Sequence, residues 1–176
     1  MVTHSRLLSR IAQLFRPAGA STPPSDVGGD EPGRFGATAT VEIVPPAPGA
    51  LRISYLPDVD GEPDAGEIIW TWVPYDERDG RGKDRPVLVI AREDHDWVYA
   101  VRLTSKSHDG DRDYLALGSG SWDARGRPSW VDIEQIYRVH RSGMRREASV
   151  LEPDRFARVA AALGSRYGWG AEGATA

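Results

Sequence analysis

The chain has no cysteine, so disulfide staples and thiolate-bound zinc are excluded, and a cytoplasmic location fits. It has no apolar run approaching the roughly 20 residues of a membrane-spanning helix, so no membrane partner is expected. Histidine is scarce: His4, His95, His108 and His140 are scattered, and no two have the i, i+4 spacing of a zinc peptidase helix. Asp109-Gly110-Asp111 lacks the ligand pattern of a calcium loop. Gly118-Ser119-Gly120 is not followed by the Gly-Lys-Ser/Thr of a nucleotide-binding loop, and Ser119 is not in a G-x-S-x-G elbow. No metal and no cofactor are expected. An excess of basic charge is missing as well. Lys and Arg number 22 against 26 Asp and Glu, giving a net charge of -4, which argues against a globally basic nucleic-acid binder. A local one remains open, because Arg138–Arg166 carries seven arginines against three acids.

What is present divides the 176 residues into a leader and one domain. Residues 1–16 have an apolar face of Leu7, Leu8, Ile11, Leu14 and Phe15 with arginines around it, which predicts a short amphipathic helix. It reads as a frayed terminus or a docking helix, not a secretory signal, because Arg10 interrupts the apolar stretch. Pro17–Ala50, rich in Pro, Gly, Ser, Thr and Ala, cannot offset its ordering entropy by burial and is expected to be a disordered linker. Ala39–Val44 is the one stretch in it with the apolar residues to pair. The domain is expected over 51–170, followed by a disordered tail at 171–176. Strands are expected at Leu51–Leu56, Glu67–Val73, Pro86–Arg92, Trp97–Thr104, Tyr114–Leu117 and Trp130–Tyr137, spaced as in a small barrel or two packed sheets. Pro153–Tyr167 is expected to be a helix, with Pro153 in its first turn and Phe156, Val159, Ala160, Leu163 and Tyr167 as its core stripe.

The most informative segment is Gly66–Ile90, which reads as strand, polar loop (Asp76–Asp84), strand. Arg85 stands where the loop becomes the second strand, and Pro86 biases it toward extended backbone. In a meander turning at Glu93–Asp96, the start of that strand lies beside the end of the next, where Thr104 and Ser105 sit. A forked guanidinium beside a hydroxyl suits a phosphate whose oxygens gain charge in a transition state. Lys83 and Lys106 would add backbone affinity. The alternative is that Arg85 pairs with a loop carboxylate and Thr104 merely ends a strand. Trp122, in the Gly-rich loop Gly118–Pro128, is the best candidate to stack on a base, with core packing as its alternative. Arg138 and the arginines after it are either a phosphate-tracking rim or a solvated face.

The same residues resemble the PemK/MazF family of toxin–antitoxin ribonucleases over about Gly66–Tyr167. Gly66-Glu67-Ile68-Ile69-Trp70 is similar to the family's opening strand, and Gly82-Lys83-Asp84-Arg85-Pro86-Val87-Leu88-Val89-Ile90 to the strand after its flexible loop. Leu103-Thr104-Ser105, Glu134-Gln135-Ile136 and the final helix resemble later elements. The resemblance implies a mainly β, SH3-like barrel of the MazF/CcdB type with a C-terminal helix. It implies a homodimer, inhibited by a small antitoxin protein, that cleaves single-stranded RNA without metal through attack of a ribose 2′-hydroxyl. Arg85 would be the catalytic cation or proton donor, Thr104 would position the reacting oxygens with Ser105 beside it, and Glu134 would be an acid/base partner. The related barrel also hosts gyrase poisons, so a non-catalytic relative binding nucleic acid or protein through the same groove is the alternative. The chain departs from the pattern in its leader, in Tyr137, which replaces a frequent arginine, and in Asp132, which replaces a basic residue. Strand alternation sets Asp132 and Glu134 on one face.

Overall fold

The computed structural model describes residues 32–58, 60–77 and 79–171. The expected helix over 1–16 and residues 172–176 of the expected tail lie outside them. Strands β1 (Val41–Ile43), β3 (Glu67–Pro74), β4 (Gly82–Arg92), β5 (Trp97–Thr104), β6 (Tyr114–Gly118), β7 (Ser129–His140) and β8 (Met144–Val150) form one sheet. Its order is β1-β7-β5-β4-β3-β8, with β6 also on β7. β2 (Arg52–Ile53) pairs separately and in parallel with β9 (Gly170–Ala171). Helix α1 spans Pro153–Tyr167.

The sheet is apolar on both faces, which is why Val87 to Ala91 of β4 is one uninterrupted buried run. One face, with Ile68, Leu88, Ile90, Val101, Leu103 and Ile136, packs against Phe156, Val159 and Leu163 of α1. Each such helix side chain contributes about 1.5–3 kcal/mol by burial. The other face, with Ile69, Val87, Val89, Val98, Ala100, Tyr137 and Val139, lines the inside of the curled sheet. Among the described residues no ladder joins β8 back to β1 or β6. The curl is closed by side chains instead: Thr40 Oγ1 lies 2.7 Å from Thr71 Oγ1, and the Thr71 hydroxyl also lies 2.9 Å from the Gly143 carbonyl. The fold is thus mainly β with one C-terminal helix, barrel-like in curvature and open in its strand pairing.

Several boundaries differ from expectation: the strand expected over Leu51–Leu56 is reduced to Arg52–Ile53, whose partner β9 is only two residues long, and three others differ as follows. Val41–Ile43 pairs with Ile136–Arg138, which carries the folded unit upstream of Leu51, where the composition changes. β8 was hidden by its charge: Arg145 and its neighbours read as solvated loop, yet charged residues are usual on a sheet edge, where they discourage further pairing. β4 begins at Gly82 rather than Pro86, because β3 is long enough to pair Val73, Trp72 and Thr71 with Lys83, Asp84 and Arg85. α1 is capped by Gly168, whose φ of 70° other residues rarely adopt and where a Cβ would crowd Pro48 at 3.0 Å.

Candidate active site

The site begins with an interrupted ladder. β4 pairs with β5 only from Val87 onward, opposite Arg102. Pro86, with no N–H to donate, stands where that ladder stops, so residues 82–86 are held by β3 alone. At the other side of the gap the end of β5 stays with β7, through Thr104 opposite Trp130. The two strands therefore part in a wedge. Continuing the Val87–Arg102 register outward by two residues sets Arg85 across from Thr104, and alternation puts both on the inner face with Arg102.

A cavity of about 110 Å³ fills the wedge, lined among others by Lys83, Arg85, Thr104, Ser105 and Trp122. Arg85 is half-buried, and its side chain makes no hydrogen bond or ion pair with any described residue; its Nε is buried without a partner. The two carboxylates that line this cavity with it each pair with another arginine. Asp84 pairs with Arg145 Nε at 2.9 Å, and Asp123 with Arg127 Nη2 at 2.8 Å. The carboxylate of Asp123 is held below its ordinary pKa by hydrogen bonds from Arg127 and the Arg125 N–H. No loop carboxylate has claimed Arg85, which removes the first alternative raised by the sequence. Thr104 Oγ1 accepts the Lys106 N–H at 3.2 Å, leaving the hydroxyl proton free to donate.

The other expected residues are placed as follows. Ser105 is exposed at the rim, with Lys83 and Lys106 exposed on either side of the wedge. Trp122 walls the cavity but is only 3% exposed, lying over Gly120, where a Cβ would fall 1.9 Å from its ring. Its Nε1 donates to Ser129 Oγ at 3.1 Å, so the indole is fixed and its face is closed to a base. Arg138 lies at the opposite end of β7, ion-paired with Glu93 and 3.9 Å over the Trp97 ring, and is not brought to Arg85.

Glu134 is also elsewhere. β7 carries a bulge: Val101 pairs with Ile136 and Leu103 with Val131, so two residue steps along β5 span five along β7. The bulge is fixed by Asp132 Oδ1, which accepts the N–H groups of Glu134 and Gln135 at 3.0 and 3.2 Å. Alternation therefore fails here. Asp132 turns inward and is buried, whereas Glu134 turns out to solvent, 3.8 Å from Arg166 of α1.

The residue that sequence reasoning missed is Arg102. Its Nη2 meets Asp132 Oδ2 at 2.7 Å, and its Nη1 lies 3.7 Å from Asp76 on the β3–β4 loop. A signal existed: Arg102 interrupts an otherwise apolar strand, two residues before Thr104 and on its face. Tyr137, on the same inner face, donates its hydroxyl to Gln135 Oε1 at 3.0 Å, and burial pushes its phenol above the ordinary tyrosine value. Among the described residues no three His, Asp or Glu side chains gather as a metal-binding group.

A sequence model described as "PemK-like, MazF-like toxin of type II toxin-antitoxin system" matches residues 64–165. No curated protein matches the chain. Among solved structures, MazF from Deinococcus radiodurans is 23% identical, covering 61% of this chain and 97% of that one, with a TM-score of 0.48. A MazE–MazF structure from the same organism is 22% identical over 60% of this chain and 96% of that one, with a TM-score of 0.47. A mycobacterial endoribonuclease in complex with its cognate antitoxin is 16% identical over 57% and 90%, with a TM-score of 0.46.

Proposed function

Since the chain belongs to the PemK-like, MazF-like toxins of type II toxin–antitoxin systems, we propose that it is an endoribonuclease cutting single-stranded RNA in the wedge between β4 and β5. The observation that carries this reading is the half-buried Arg85 guanidinium, which has no counter-ion among the described residues and shares a cavity with the Thr104 hydroxyl. A buried cation without an acid is unfavourable unless a ligand supplies the anion. A phosphodiester does so, with paired oxygens that match the guanidinium fork.

In the proposed reaction the ribose 2′-oxygen attacks the adjacent phosphorus and the bond from phosphorus to the 5′-oxygen breaks. One proton leaves the 2′-oxygen and one arrives at the 5′-oxygen. The products are a 2′,3′-cyclic phosphate and a free 5′-hydroxyl, and no water is consumed. Arg85 stabilises the charge that builds on the phosphoryl oxygens, and Thr104 donates to one of them or orients the attacking sugar. Since Arg85 supplies the positive charge, cleavage proceeds without metal. Glu134 is left without a role, because its carboxylate faces α1 and solvent. Lys83 and Lys106 hold the strand at the rim. A homodimer, a small antitoxin partner and a cytoplasmic site of action complete the reading. Purified protein incubated with a long single-stranded RNA in EDTA should release fragments whose ends carry a cyclic phosphate by mass spectrometry. Fragments with 5′-phosphate ends, or cuts abolished by EDTA, would overturn the mechanism.

A further inference from the structure

Arg85 lines a second cavity, of about 340 Å³, between the β3–β4 loop and the sheet; its other walls are Tyr75, Asp76, Glu77, Arg81 and Arg102. Arg102 is largely withdrawn from solvent, its side chain 12% exposed. One side of its guanidinium is fixed to Asp132, which is itself anchored by the two N–H groups of the bulge. Tyr114 Oη stands 3.5 Å from the same Nη2. Its Nε is buried without a hydrogen-bond partner.

The Nη1 side faces a different kind of anion. Asp76 is 69% exposed, lies 3.7 Å from Nη1 and accepts the Gln135 amide at 3.0 Å. An ion pair with one partner so open to solvent is held weakly. Asp132 is the structural partner of Arg102, and Asp76 is a loosely held second one. A phosphate oxygen offers the same charge and the same acceptor to Arg102 and Gln135.

We propose that Arg102 is a second phosphate-binding residue for single-stranded RNA, next to Arg85, and that Asp76 is the resident carboxylate which the RNA displaces. The proposal rests on the RNA-cleaving reading of the same groove and adds a ligand to it. Thr104 and Arg102, two residues apart on one strand face, stand about 7 Å apart. The groove thus holds one phosphate at Arg85 and Thr104 and its neighbour at Arg102.

The test is binding of a fluorescent mixed-sequence 2′-O-methyl oligonucleotide, which has no free 2′-hydroxyl to react. Asp76→Asn keeps the acceptor for Gln135 and removes the charge, and should tighten binding roughly five-fold. Asp79→Asn removes the same charge from the same loop, but Asp79 pairs with Arg81 and is not a wall of the cavity; it should change affinity by less than about two-fold. Arg102→Lys in the Asp76→Asn background, with folding checked by melting, should erase the gain. Equal effects of the two aspartate variants, no effect of Asp76→Asn, no binding by any variant, or a gain that survives Arg102→Lys would each overturn the proposal. If the lysine variant does not fold, the comparison of the two aspartates decides. Unmethylated RNA in parallel separates the readings: a failed nuclease leaves it intact, whereas a failed Arg102 site leaves cleavage in place while the aspartate variants bind alike.

Discussion

A guanidinium half-withdrawn from water keeps its charge, so the surroundings must supply an anion or leave it for a ligand. The two carboxylates that line the smaller cavity with Arg85 pair elsewhere, Asp84 with Arg145 and Asp123 with Arg127. If Arg85 acts on the developing charge, Arg85→Ala should lower kcat about 10²–10³-fold while the melting temperature holds or rises, because no internal pair is broken. Thr104→Val should cost roughly ten-fold, as expected for one lost hydrogen bond, without loss of RNA binding. Single-turnover cleavage and thermal melting read both. Tyr137 sets a pH limit on stability. Burial raises its pKa in the fold, so the neutral phenol is favoured there and its contribution is complete below about pH 10. That contribution is lost as pH rises above this value. Melting temperatures taken upward from about pH 9 should fall, and less steeply in Tyr137→Phe; identical slopes would contradict the assignment.

At the scale of elements, the bulge in β7 decides which acid belongs to the groove. Asp132→Ala should destabilise by about 3–5 kcal/mol in urea unfolding, because Arg102 is left charged and buried. Glu134→Ala should stay within about 0.5 kcal/mol and cleave normally. The contrast also shows what a sequence can carry. Gly66–Trp70, Val87–Ile90, Trp97–Thr104 and α1 were legible because each has a period or a run that only one environment suits. That Arg85 and Thr104 line one cavity was legible because a short turn joins their strands. The bulge was not, since it depends on one carboxylate capping two N–H groups, and alternation without it puts Asp132 and Glu134 together. Trp122 was misjudged because a Gly-rich loop looks open; Gly120 is there to let the indole lie flat and buried. Arg102 was passed over because a lone arginine in an apolar strand announces neither its buried partner nor its cavity.

Across the whole molecule, the segment before Leu51 completes the curl of the sheet. Thr40 bonds Thr71, Val41–Ile43 extends β7, and the carbonyl of Pro46 accepts the Trp169 indole at 2.9 Å. A chain beginning at residue 32 should melt like the full chain, and one beginning at 51 should melt several degrees lower, as the loss of a few kcal/mol in a domain of this size implies. Composition alone set that boundary at Leu51, since a strand of three residues followed closely by Pro45 and Pro46 buries too little to stand out. The cleft between β4 and β5 is what the rest of the fold positions: β3 holds one lip, β7 the other, and Pro86 keeps them apart. The most direct measurement is cleavage of one long single-stranded RNA in EDTA by wild type and by Arg85→Ala, each shown by melting to be folded. Discrete cuts by the first and intact RNA with the second are the result expected. Equal cutting by both would take Arg85, and the wedge with it, out of the chemistry.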